Sequence, residues 1–128
     1  MGASKVGIDG LSKAIEDGLK EYTADVADNI KEAVTGVSKG MAKELRRTSP
    51  KGYGEYAKGW TAKKIKEDAY RVRYVIHNKK KPYITHLLEN GHAKRGGGRV
   101  EARPHIAPAY KRATAELMDR IEEAMEEG

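Results

Sequence analysis

From Leu11 onward the apolar residues of this chain fall three or four positions apart, at Leu11, Ile15, Leu19, Tyr22, Val26, Ile30, Val34, Val37, Met41 and Leu45. That spacing puts them on one stripe of an α-helix and predicts helix from Leu11 to Arg47. The mean step of about 3.8 residues exceeds the 3.5 of a heptad seam, so the stripe does not wind as a regular coiled coil. Gly18, Gly36 and Gly40 interrupt it, each at about 1 kcal/mol in a helix interior, which makes Gly36 to Gly40 the place where a break would fall. Unbroken, the helix would reach about 55 Å, whereas the rest of the chain makes a globule only about 25 to 30 Å across. An overhanging apolar stripe is therefore expected, covered by the helix or sheet of an adjacent copy through Leu11, Ile15, Leu19, Tyr22, Val26 and Ile30. A helix bent at Gly36 and folded back on its own body is the alternative.

After Pro50 the period changes. Gly52, Tyr53, Gly54 and Gly59 mark a loop or short turn before Trp60. Thr61 to Lys66 and Tyr70 to His77 then read as a β-hairpin turning at Glu67, Asp68 and Ala69. Its second strand alternates an apolar face, Tyr70, Val72, Tyr74 and Ile76, with Arg71, Arg73, Val75 and His77. A lone hairpin is barely stable in water, so a third strand is expected from Val100 to Ile106 or from a neighbouring subunit. Tyr83 to Glu89 reads as a short helix with Tyr83, Leu87 and Leu88 inward, stopped by Asn90-Gly91. Pro108 suits the first turn of a last helix whose inward residues are Tyr110, Ala113, Leu117, Ile121 and Met125. The fold class is α+β: a long N-terminal helix, a small antiparallel sheet built on a hairpin, a short middle helix and a C-terminal helix. At 128 residues one domain is expected, with a helical arm at 1–47 and an α+β body at 48–128.

Charge is spread unevenly. Residues 1–47 hold eight Lys/Arg against eight Asp/Glu, residues 48–112 sixteen against five, and residues 113–128 one against six. The middle is thus strongly basic and the end acidic, as for a chain that meets a polyanion, basic neighbours, or both. With no Phe, one Trp and 38% apolar residues the core is thin, and burial between subunits would help it. The absence of Cys rules out disulfides and thiolate metal sites. The first ten residues lack a secretory pattern and no apolar run approaches a membrane span, so a soluble, unexported protein without membrane contact is expected.

Candidate chemistry is sparse. His86, His92 and His105, with Glu89, could be drawn as a metal set, but His86 and His92 stand six apart across a helix stop, and no zinc signature fits. Gly96, Gly97 and Gly98 between Arg95 and Arg99 lack the following helix and the Lys-Ser or Lys-Thr of a phosphate loop. No Ser or Thr occupies a nucleophile elbow, so neither catalysis nor a cofactor is expected. What remains is a basic set, Lys79, Lys80, Lys81, Lys94, Arg95, Arg99 and Arg103, interleaved with Tyr74 and Tyr83. It could follow a nucleic-acid backbone without reading sequence.

Three stretches resemble a known family. They are Pro50, Gly54, Tyr56, Ala57, Lys58, Gly59 and Trp60; then His86, Leu87, Leu88, Glu89, Asn90, Gly91 and His92, with Arg95, Gly96, Gly97 and Val100; then Arg103, Pro104, His105, Ile106, Ala107, Pro108 and Ala109. In this order and spacing they resemble the neck or tail-component group of long-tailed phages, named for the tenth gene product of phage HK-ninety-seven. Lys51-Gly52-Tyr53 departs from the Asp-Thr-Gly type of turn of many members. The resemblance implies a virion protein, assembled in the host cytoplasm as a homo-oligomeric ring at the head-to-tail junction, beside head-completion and tail proteins and in non-specific reach of the genome. Trp60, Leu88, Glu89, Gly91, His92, Pro104 and Pro108 would then be structural motif positions. A small basic nucleic-acid-binding module acting alone is the competing expectation.

Overall fold

The structure, a computed structural model, describes residues 24–127. Helix α1 spans Ala24–Thr48, with Asp25 in its first turn and Arg46 and Arg47 in its last, charges that complement the helix dipole. It runs through Gly36 and Gly40 without a break, as the helix read as far as Arg47 requires, and the alternative of a bend at Gly36 does not occur. Gly36 lies under α3, Ile106–Glu127, and Gly40 faces solvent. A Cβ on Gly36 would stand 2.5 Å from Arg120 Nη1, whereas one on Gly40 would meet nothing within 4 Å. Gly40 therefore costs helix propensity with no packing return. Gly40→Ala is expected to stabilise the fold by about 0.5 to 1 kcal/mol, read as a higher denaturation midpoint.

Strand β1, Trp60–Glu67, pairs antiparallel with β2, Val72–Asn78, from Trp60 opposite Asn78 to Glu67 opposite Val72. A bulge between Lys64 and Lys66 leaves Ile65 half exposed. The turn closes where Asp68 accepts the backbone N–H of Tyr70 and donates its own N–H to Arg71 O. Val72 and Tyr74 are buried on the face read from the alternation. No third strand joins them among the described residues. Of segment 100–106 only Val100 is in a strand, in a two-residue ladder of β3, His92–Ala93, with β4, Arg99–Val100, and the segment then leads into α3. The hairpin is stabilised by packing on helices, the other way a two-stranded sheet survives.

Helices α1 and α3 run antiparallel: Arg112 pairs with Glu44, Arg120 lies at Gly36, and Ala124 sits among Val26, Ala27 and Ile30. The core follows α1 in three patches. Val26, Ala27 and Ile30 meet Ala124; Ala33, Val34 and Val37 meet Val72, Tyr74 and Leu117; Met41 and Leu45 meet Tyr56, Trp60, Leu88 and Ala109. Val26 and Ile30, expected to be contacts between copies, are each 3% exposed within one chain. The 22-residue α3 is nearly as long as the 25-residue α1 and covers that end. Leu11, Ile15, Leu19 and Tyr22 lie outside the described residues, as does the part of the predicted helix before Ala24.

Two inward assignments also move. Pro82–Ile84 forms a 3-10 turn ahead of α2, Thr85–Asn90. Its tighter winding aims Ile84 at the Tyr56 and Trp60 patch and leaves Tyr83 65% exposed. On α3 the stripe Leu117, Ile121, Ala124 faces α1, and Met125, one residue further round, is half exposed.

Candidate functional site

The family-like stretches converge on one buried polar network. Glu89, at the end of α2, accepts the backbone N–H groups of His105 and Ile106 at 2.8 Å and of Ala107 at 3.0 Å. Those N–H groups open α3, so a carboxylate from a separate helix satisfies donors that have no intrahelical partner and sits at the positive end of the dipole. Arg103 N donates to Leu88 O at 2.7 Å, and Gly91 lets this segment approach, since a Cβ there would come within 2.6 Å of Val100 O. His105, 3% exposed, holds Nδ1 2.9 Å from Arg103 O and 3.1 Å from Glu89 Oε1. Both neighbours are acceptors, so Nδ1 carries the proton in the neutral ring, and Nε2 accepts from Tyr56 Oη at 2.6 Å.

Tyr56 is fully buried, edge-on to Trp60 and His105. Trp60 Nε1 donates to Ser49 Oγ at 2.7 Å, and Asn78 Nδ2 donates to Tyr56 O at 2.7 Å. Asn78 Oδ1 accepts Lys80 N and Lys81 N, which starts the basic turn after β2. Burial pushes the Tyr56 phenol up to about 12, against a lowering contribution from Thr85. A proton held more tightly in the folded state stabilises fully below pH 10, and that stability is lost as pH rises toward 12. Denaturant titrations across this window should show the loss in the native chain and a flatter profile in Tyr56→Phe.

The basic residues are only partly gathered. Lys94, Arg99 and Arg103 line an open cleft of about 380 Å³ with Tyr53, Val100, Glu101 and Ala102. Lys81 extends over Gly54, next to Tyr53, because a Cβ on that glycine would stand 2.8 Å from Nζ. Lys79 and Lys80 are exposed at the end of β2, and Arg95 is exposed in the loop joining β3 to β4. Arg99 also donates to Asn90 O at 3.0 Å, capping α2. Among the described residues no carboxylate lies within ion-pair distance of any of these seven cations. Tyr74 does not belong to this surface: it is 4% exposed in the core. Tyr83 is exposed.

His86 is exposed and His92 partly exposed, with Nδ1 3.1 Å from Ala93 O, whereas His105 is inside. The described residues contain no group of three or more His, Asp or Glu arranged to hold a metal ion. No described helix is long and apolar enough to cross a membrane. Pro104 is exposed and Pro108 lies in the first turn of α3. Sequence reading missed the role of Glu89, Asn78 and Ser49. One signal was available: α3 opens after Arg103-Pro104-His105 with no Ser, Thr, Asp or Asn to cap it, so its first N–H groups need a distant acceptor.

A sequence model of the family described as "Bacteriophage HK97-gp10, putative tail-component" matches residues 12–91 of the chain. The matched span takes in the Pro50 to Trp60 stretch and the helix stop at Gly91, and it ends before the Arg103 to Ala109 stretch. No curated protein and no solved structure matches the chain.

Proposed function

We propose that this chain, which belongs to that family of phage tail components, is a structural protein of a tailed phage or prophage that assembles into a ring at the head-to-tail junction. The family match is the observation that supports this reading most directly. The geometry agrees with a structural role in that Trp60, Leu88, Glu89 and Gly91 build the core and its helix cap. That His92 lies in β3 and Pro108 in α3 supports reading both as parts of the frame. In such a ring the neighbours are further copies and the head-completion and tail proteins, and the place of work is the virion. The unmatched cations at one end of the molecule suit an acidic protein surface or the passing genome.

Self-association is the test. Light scattering over a range of concentrations should show a discrete oligomer, and electron microscopy of that species should show closed rings. Leu11, Ile15, Leu19 and Tyr22 remain proposed contacts on the strength of their stripe in the sequence. Glutamate at Leu11, Ile15 or Leu19 should lower the oligomer mass while Trp60 fluorescence stays native. A second reading, the stand-alone nucleic-acid-binding module, draws on the unpaired cations of the cleft. It predicts a persistent monomer that binds duplex DNA with a steep inverse dependence on salt.

A further inference from the structure

The α1 and α3 pair carries opposite charge at its two ends. We infer that the acidic C-terminal end of α3 in one copy docks into the basic cleft of the next. This contact rests on the self-assembly proposed above and names the surfaces that would make it.

Antiparallel packing fixes where the two surfaces lie. The first turn of α3 is bound by Glu89, on the side of the molecule that holds the cleft of Lys94, Arg99 and Arg103. Its last turns lie beside Val26, Ala27 and Ile30 at the start of α1. Helix α3 runs from Ile106 to Glu127, so Glu122 and Glu126 stand about 24 to 30 Å from its start at 1.5 Å per residue. Glu122, Glu123 and Glu126 are exposed there, as are Asp25 and Asp28 of α1. No Lys or Arg is paired with any of the three glutamates among the described residues. Within one chain the two sets cannot neutralise each other, because their separation is several times the Debye length of about 8 Å at physiological salt.

Both surfaces are in arrangements that a lone chain does not favour. Glu122 and Glu126 stand one turn apart with like charge, and carboxylates at a helix C-terminus oppose its dipole. Lys94, Arg99 and Arg103 surround a cleft whose single carboxylate is Glu101. Bringing a second copy's helix end to the cleft relieves both. A cleft at one end that takes the other end of the next molecule is a head-to-tail contact, and such contacts close into rings when the rotation between copies permits. Nucleic acid would match the cleft but would leave the acidic end unmatched.

The test uses charge reversal on the full chain. Lys94→Glu/Arg103→Glu alters the cleft, and Glu122→Lys/Glu126→Lys alters the helix end; all four side chains are exposed. Trp60 fluorescence confirms that each variant is folded. In sedimentation velocity at low salt each variant alone should associate about tenfold or more weakly than the native chain. An equimolar mixture of the two should regain association, since each reversed surface then finds its complement. Duplex DNA is titrated in parallel. Native-like assembly by both variants would overturn the contact while leaving the ring reading intact. Loss of DNA binding alone by the cleft variant would overturn it in favour of a nucleic-acid surface. A native chain that stays monomeric at every concentration would overturn both readings, whereas failure of the mixture to recover would remove the pairing of these two surfaces.

Discussion

Replacing Glu89 with alanine is expected to destabilise the fold by about 2 to 4 kcal/mol, because it strands three helix-opening N–H groups and removes a charge from the positive end of α3. The side chain of Glu89 is only 16% exposed and accepts from His105, Ile106 and Ala107. Water can reach such a site, but not with two oxygens held at hydrogen-bond distance from three donors. Glu89→Gln keeps one acceptor oxygen and should lose about half as much. The unfolding midpoint followed by Trp60 fluorescence should fall on the order of 10 °C for the alanine variant. A drop of less than 1 kcal/mol would show that solvent caps α3 unaided, and that the carboxylate is not what fastens α2 to it.

The hairpin and the helices were readable because their side-chain periods are imposed by the element itself. Val72 and Tyr74 are buried for the reason their alternation gave. That same alternation argues against placing Tyr74 on the basic surface, since a side chain facing the core cannot also stack on a nucleic acid. What a local pattern cannot report is which distant element will cover a face. The stripe of α1 predicted an uncovered surface, and within residues 24–48 it is covered by α3, whose own stripe was read correctly at Leu117 and Ile121. Matching two stripes of similar length would have pointed to the antiparallel pair.

The site shows the same division. The spacing of Lys94, Arg99 and Arg103 gave no hint that they share a cleft with Tyr53, because a tight approach of chain segments at Gly91 brings that about. In the sequence Glu89 stands as a carboxylate beside His86, His92 and His105 and as a structural position of the family-like motif. Its surroundings make it a helix cap in trans, a role invisible to motifs that look only at adjacent residues. The Pro50 to Trp60 stretch is thus distant in sequence from the other two but joins them in one network through Tyr56 and His105, which is why the stretches read as separate weak signals.

Gly91→Ala should be at least as damaging as the loss of Glu89, at about 3 kcal/mol or more. Gly91 has φ 74° and ψ 174°, a region in which a side chain costs about 1 to 3 kcal/mol whatever the space around it. Its added Cβ would also meet Val100 O at 2.6 Å and Ala102 N at 2.8 Å, both backbone atoms that can yield only by moving the segment. Gly96, at φ +88° with nothing within 4 Å of a Cβ, supplies the control: Gly96→Ala carries backbone strain without the collision. Equal losses at the two positions would show that strain is the whole effect at Gly91. Asparagine, which tolerates the ordinary left-handed region, should not rescue position 91. Displacing this segment pulls Arg103 N from Leu88 O and shifts His105 away from Glu89. Gly91→Ala and Glu89→Ala should therefore be less than additive, since each disables the same junction between α2 and α3.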